Sequence, residues 1–297
     1  MGLSSSRAVW FFGLVVGAAL TTACHHRSSS IAPAPVSITA ADDDVHASLL
    51  AHHRYHHHGG LTLLVVMSLD TLEVPSDKRD SIGKIQADLR RALTPSRADE
   101  QRLTAALADA VAANELDDGR IGAATAEIVS DASKADAASA AALNRLHEML
   151  TPGERASLVQ KVSEQAQVWR RANADVPPEH SGWVDSLRIE PPLTEVQQDA
   201  VRANLVALAH ARVTTTTGHA VANALSAFGD AFMSDTFDAR NLDGFGEANG
   251  RMAAVGAAHL VALVQAVSPV LTASQRAFFA SELRYHATHD DLPAVIL

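Results

Sequence analysis

A six-residue phrase recurs along this chain of 297 residues. It reads Leu150-Thr151-Pro152-Gly153-Glu154-Arg155, then Leu193-Thr194-Glu195-Val196-Gln197-Gln198, then Leu271-Thr272-Ala273-Ser274-Gln275-Arg276. A degenerate copy, Val74-Pro75-Ser76-Asp77-Lys78-Arg79, lies upstream and lacks both the Leu-Thr pair and the Gln. Val74 and Leu193 are 119 residues apart and Leu150 and Leu271 are 121, so two copies return in order about half a chain later. A fixed period of that kind points to an internal duplication. Each good copy is also a helix start. The Thr hydroxyl can accept from the backbone N–H three residues on, while the Glu or Gln there reaches back to the Thr N–H, forming a capping box. Pro152 adds a φ already suited to the first helical position. Leu150, Leu193 and Leu271 stand where a hydrophobic staple would begin, but the partner positions carry Arg155, Gln198 and Arg276, so the staple is incomplete.

The apolar positions between these starts are spaced for helices. Ile82, Ile85, Leu89 and Leu93 lie on one helical face, as do Leu103, Leu107 and Val111. Leu158, Val162, Ala166 and Trp169 continue the pattern, followed by Val201, Leu205 and Leu208, and by Leu271, Phe278, Phe279 and Leu283. No stretch shows sustained alternation with hairpin turns, which predicts an all-α fold. The duplication predicts two helical halves, 61–172 and 193–297, packed as a pseudo-dimer. They are separated by a linker, 173–192, that contains Pro177-Pro178, Gly182 and Pro191-Pro192. The middles of the halves correspond too: Leu107–Ile121 resembles Leu225–Leu242, with Leu116-Asp117 set against Phe237-Asp238.

At the amino end, an apolar run from Ala8 to Leu20 follows Arg7 and reads as a secretory signal of residues 1–23. Leu20-Thr21-Thr22-Ala23-Cys24 is similar to a bacterial lipobox and makes Cys24 the expected lipidation site. Because Cys24 is the only cysteine, no disulfide can form within one chain. Residues 24–60, rich in Ser, Asp and His, are expected to be a disordered tether. No second apolar run is expected to be long enough to cross a bilayer. An exported, lipid-anchored protein works without a supply of ATP, and the absence of Asp after Cys24 suggests the periplasmic face of the outer membrane. The net charge of −10 argues against a nucleic-acid partner. Residues 61–172 hold 14 Lys+Arg against 17 Asp+Glu and residues 173–297 hold 7 against 14, so the acidity lies mostly in the second half. Every Phe after the signal segment lies there too, which suggests halves that have diverged in both surface and core.

Eight of the fifteen histidines precede residue 60, and His52, His53, His56, His57 and His58 form a cluster able to offer imidazoles to Zn, Cu or Ni. The cluster lacks acidic or thiolate partners at fixed spacing, so its selectivity would be loose. His286 and His289, before Asp290-Asp291, make a weaker arrangement suited to a helix C-terminus. His147, His210, His219 and His259 fall in helical stretches and read as packed or rim residues. The chain contains no G-x-S-x-G, no H-E-x-x-H and no phosphate loop, which argues against an enzyme and against a required cofactor.

Through Leu150-Thr151, Glu154-Arg155, Leu193-Thr194, Gln197, Leu271-Thr272 and Gln275-Arg276, the chain resembles the Spy/CpxP family of periplasmic proteins, whose members carry LTxxQ signatures at helix starts. The likeness spans residues 61–290. It implies small all-helical units that pair into a cradle and bind unfolded envelope proteins without nucleotide. The family usually shows two signatures per subunit and assembles as a dimer, so four in one chain imply a fused pseudo-dimer that is monomeric in solution. A metal-binding or metal-sensing lipoprotein is the alternative, with the His tether as ligand.

Overall fold

A computed structural model of the chain describes residues 60–172, 187, 189–209 and 215–288. The signal segment, Cys24, the His52–His58 cluster, His210, His289 and most of the 173–192 segment lie outside the described residues. Those described form nine α-helices with no strand among them, so the fold is all-α. In order they are α1 (Leu61–Asp70), α2 (Ser76–Ala92), α3 (Thr94–Ala113), α4 (Asp118–Met149), α5 (Pro152–Ala172), α6 (Glu195–Ala209), α7 (Thr215–Met233), α8 (Phe245–Val267) and α9 (Ala273–Thr288).

Helices α2 to α5 and α6 to α9 run in the same order at nearly the same offset. Ser76 and Glu195 open α2 and α6, 119 residues apart; Thr94 and Thr215 open α3 and α7, 121 apart; Pro152 and Ala273 open α5 and α9, again 121 apart. An Asp cap stands ahead of the long helix in each half, on α4 itself in the first and on a short turn before α8 in the second. Asp117 accepts from the Arg120 N–H at 3.0 Å at the start of α4. Asp238 accepts from the Arg240 N–H at 3.1 Å and opens a 3-10 turn, Ala239–Asn241. There the second half departs from the first, because Gly244 takes φ +75° and α8 begins only after it. A positive φ is inexpensive for a residue without Cβ. Asn114 plays the matching part at the end of α3, with φ 54° and a bond from Glu115 N to Ala110 O that closes the helix.

Two apolar cores result, and each draws on both halves. The first holds α1, α2, the C-terminal part of α4 and α5, completed by Val221, Phe228 and Phe232 of α7 and by Phe245 and Met252 at the start of α8. The second holds α6, the C-terminal part of α8 and α9, completed by Leu103, Leu107 and Val111 of α3 and by Ile121 and Ile128 at the start of α4. Packing is therefore exchanged and reciprocal. α5 of the first half lies on α7 of the second, and α9 of the second lies on α3 of the first. This also places the aromatics. Phe228, Phe232, Phe237 and Phe245 come from the second half but sit in or against the first core, with ring centroids of successive pairs 5.0–5.7 Å apart.

Between the cores, α4 and α8 pack along each other at very short range. A Cβ on Gly250 would lie 2.2 Å from Ser133 Oγ and 3.0 Å from Val129 O, and one on Gly246 would lie 2.8 Å from Ser133 O. These glycines set how closely the long helices approach. One sequence expectation needs correction. The span Phe245–Val270, 26 residues, is long and apolar enough to cross a membrane by length and composition, against the expectation of no second such run. Its apolar character has a local cause: α8 contributes to both cores, so more than half of its most apolar stretch is buried within the protein.

Candidate functional site

The recurrent phrases form the helix starts read from their chemistry. At α5, Glu154 Oε2 accepts from the Thr151 N–H at 2.7 Å, and the Glu154 N–H donates to Thr151 Oγ1 at 3.3 Å. At α6, Gln197 Oε1 accepts from the Thr194 N–H at 2.9 Å, and the Gln197 N–H returns to Thr194 Oγ1 at 3.3 Å. At α9, Gln275 Oε1 accepts from the Thr272 N–H at 2.9 Å, and the Gln275 N–H returns to Thr272 Oγ1 at 3.4 Å. The leading leucines are anchors. Leu150 and Leu271 are buried, one in each core, and Leu193 packs against the second.

The boxes do more than cap. Each carboxamide has a spare N–H pair, and in the second half these meet. Gln197 Nε2 donates to Gln275 Oε1 at 2.8 Å and to Val270 O, just before Leu271, at 2.8 Å. Gln275 Nε2 donates to Gln197 Oε1 at 3.2 Å and to Pro192 O, just before Leu193, at 3.2 Å, with Pro191 O at 3.1 Å. Each glutamine thus caps its own helix and holds the turn that leads into the other. Gln275 is buried in this clasp.

In the first half the same two positions are charged. Lys78 occupies the Gln position of the degenerate copy, and its Nζ donates to Glu154 Oε2 at 2.7 Å. The ammonium of Lys78, helped by the Thr151 donors, holds the Glu154 carboxyl below the usual range. An ion pair therefore replaces the amide pair at the equivalent place. Its partner was hidden from sequence reading because the upstream copy has lost Leu, Thr and Gln; the surviving signal was the two spacings.

Arg155 and Arg276 end their phrases and act differently. Arg276 Nη1 donates to Leu271 O at 2.6 Å, a local bond. Arg155 is only 6 % exposed and crosses to the second half, donating to Ser234 O at 2.8 Å and contacting His147 Nε2. His147 is itself buried, stacked on Phe237 and edge-on to Phe232, a packed residue rather than a rim one. This cluster pins the turn after α7 to the start of α5. Asn144 does similar work one turn earlier, accepting from the Ala239 N–H at 2.8 Å and donating to Asp238 at 3.3 Å.

Among the described residues, no group of three or more His, Cys, Asp or Glu side chains converges to hold a metal. His286 lies near the end of α9, while His219 and His259 lie on α7 and α8, so these histidines are spread over separate helices. What fold and site define is a class: an all-α bundle of two exchanged cores, each tied by a pair of side chains at its helix starts. Comparison of the chain with family models, with characterised proteins and with solved structures finds no match to any of them.

Proposed function

We propose that this chain is an ATP-independent chaperone of the Spy/CpxP type, exported, lipid-anchored at Cys24 and facing the periplasm from the outer membrane. In this reading it is a fused pseudo-dimer, one polypeptide in which residues 61–172 and 193–297 each stand for a subunit. The observation that carries the reading is the matched pair of clasps, Lys78 with Glu154 and Gln197 with Gln275, at positions 119 and 121 residues apart. Each clasp lies within one half, as repetition of a single unit requires. The exchange of α5 onto α7 and α9 onto α3 is what a two-fold interface generates, since element i of one partner meets j of the other and j meets i. The work proposed is to hold apolar segments of unfolded envelope proteins weakly and release them as they bury their own apolar surface, a cycle that needs no nucleotide.

The test is the aggregation of a chemically denatured client with and without the protein, in the presence and absence of Zn. Suppression that does not depend on Zn is expected. Suppression only with Zn would move the function to the His52–His58 cluster, and no suppression in either condition would refute client binding. Light scattering on the eluted protein should give the mass of one chain; an obligate dimer would refute the fused pseudo-dimer.

A further inference from the structure

A chaperone of this kind must present apolar surface, and the described residues offer little. The large apolar side chains that are well exposed are Val196, Met233 and Tyr285, on three different helices. A client-binding face must therefore be uncovered. We infer that α1 occupies it: Leu61–Asp70 is an internal stand-in for a client, seated in the groove of the first core and displaced when an unfolded protein brings an apolar helical segment of its own. This inference rests on the client-binding reading above.

Three observations point to α1. Leu61, Leu63, Leu64, Val65, Val66, Met67 and Leu69 are all buried, so the helix is apolar on every side and fills a groove walled by α2, α5 and α8. It stands first among the described helices, and neither clasp uses it, so its departure leaves Lys78–Glu154 and Gln197–Gln275 intact. Its side-chain attachments are few. At its start Thr62 N donates to Asn249 Oδ1 and Asn249 Nδ2 to Thr62 Oγ1, both at 3.2 Å. At its end Gln86 Nε2 donates to Val66 O at 2.9 Å and to Asp70 Oδ1 at 2.6 Å, and Arg90 donates to Asp70 at 3.2 Å.

The chemistry of the groove defines its occupant. Seven large side chains cannot be bared to water cheaply, so unassisted opening is rare. A client that supplies matching apolar side chains replaces those contacts as α1 leaves, and competition with α1 keeps binding weak and reversible. At the α8 end the fit is close, since a Cβ on Gly60 would lie 2.2 Å from Asn249 Cα. The preferred client segment is therefore about three helical turns long, with a glycine at its entry and a small hydroxyl residue two positions on.

Hydrogen exchange read by mass spectrometry on the full chain tests this, with a reduced, carboxymethylated and permanently unfolded protein as probe. The probe is expected to speed exchange in α1 while α4 and α8 stay protected. Gln86→Ala, which removes two of the attachments, is expected to speed α1 exchange about tenfold even without the probe. Stronger suppression of client aggregation by Gln86→Ala than by the native chain would also support the inference. If the native chain suppresses aggregation while α1 exchanges in step with α4 and α8, client binding stands and α1 is an ordinary core helix. If neither protein suppresses aggregation, client binding fails, and this inference with it.

Discussion

Gln275→Ala removes more hydrogen bonds than any other single change at the signatures. The side chain is 2 % exposed and contributes the cap on Thr272, the amide pair with Gln197 and the bond to the carbonyls of Pro191 and Pro192. A capping box and a buried amide bond are each worth about 1 kcal/mol net. The proline residues lie at the surface, so their carbonyls regain water and add less. The expected loss is about 2–3 kcal/mol, which for a domain of this size lowers the melting temperature by roughly 5–10 °C. Denaturant titration of Gln275→Ala, Gln197→Ala and the double variant separates cap from clasp. A coupling energy of about 1 kcal/mol or more between the two positions is expected, because each glutamine donates to the other. Gln198→Ala, next to the clasp but outside it, should change stability by less than about 0.5 kcal/mol. Additive effects at Gln197 and Gln275, with coupling within about 0.3 kcal/mol of zero, would refute the reciprocal clasp.

Three further outcomes follow from the same geometry. Gly250→Ala should cost about 1–3 kcal/mol by overpacking against Ser133 Oγ, and Ser133→Ala in the same chain should recover part of it, as read by denaturant titration. Asp136 on α4 has its carboxyl pKa raised by burial, offset in part by the Gly246 N–H, and its Oδ1 has no hydrogen-bond partner among the described residues. A carboxyl whose folded pKa is raised binds its proton more tightly when folded, so its contribution favours the fold at low pH and is lost as pH rises through the raised value. Asp136→Asn should therefore raise the melting temperature at neutral pH and flatten that part of the profile. Glu154 has the opposite sign, its pKa being lowered chiefly by Lys78, so its contribution is present above the ordinary carboxylate range and is lost as pH falls through the lowered value. Installing glutamines with Lys78→Gln and Glu154→Gln should cost about 0.5–1 kcal/mol at neutral pH and make acid unfolding less steep, measured by melting from pH 3 to 7.

What was legible in the sequence was local. The capping boxes at Thr151, Thr194 and Thr272 involve residues three apart, so their chemistry is complete within the phrase. The stripes Ile82 to Leu93 and Leu103 to Val111 have helical spacing because each helix buries one face. Such stripes say nothing of which helix they meet. Leu103, Leu107 and Val111 sit in the core built mainly by the second half, and Phe228 and Phe232 in the other, so the second half's aromatics line the core built mainly by the first. α1 carries no period to read, being buried on all sides. Lys78 carries no signal of its own because a lysine does not resemble a glutamine; its place opposite Glu154 is visible only in the contact between them. The long-range roles of Arg155 and Asn249 depend on partners 79 and 187 residues away, beyond the reach of any local pattern.

The exchange of helices within a single chain is the claim on which the rest depends, and one cross-link tests it. Asp109 on α3 and Arg284 on α9 meet at 2.9 Å, joining the first half to the last helix of the second. In a chain carrying Cys24→Ser, Asp109→Cys and Arg284→Cys, with 175 residues between the new cysteines, a flexible bismaleimide that spans the length of the removed arginine side chain should bridge the two thiols within one chain. The product is expected to run as a monomer and to retain its melting temperature. A bridge that forms only between two chains, or none under conditions where both thiols react with a small monofunctional maleimide, would contradict the exchanged pseudo-dimer.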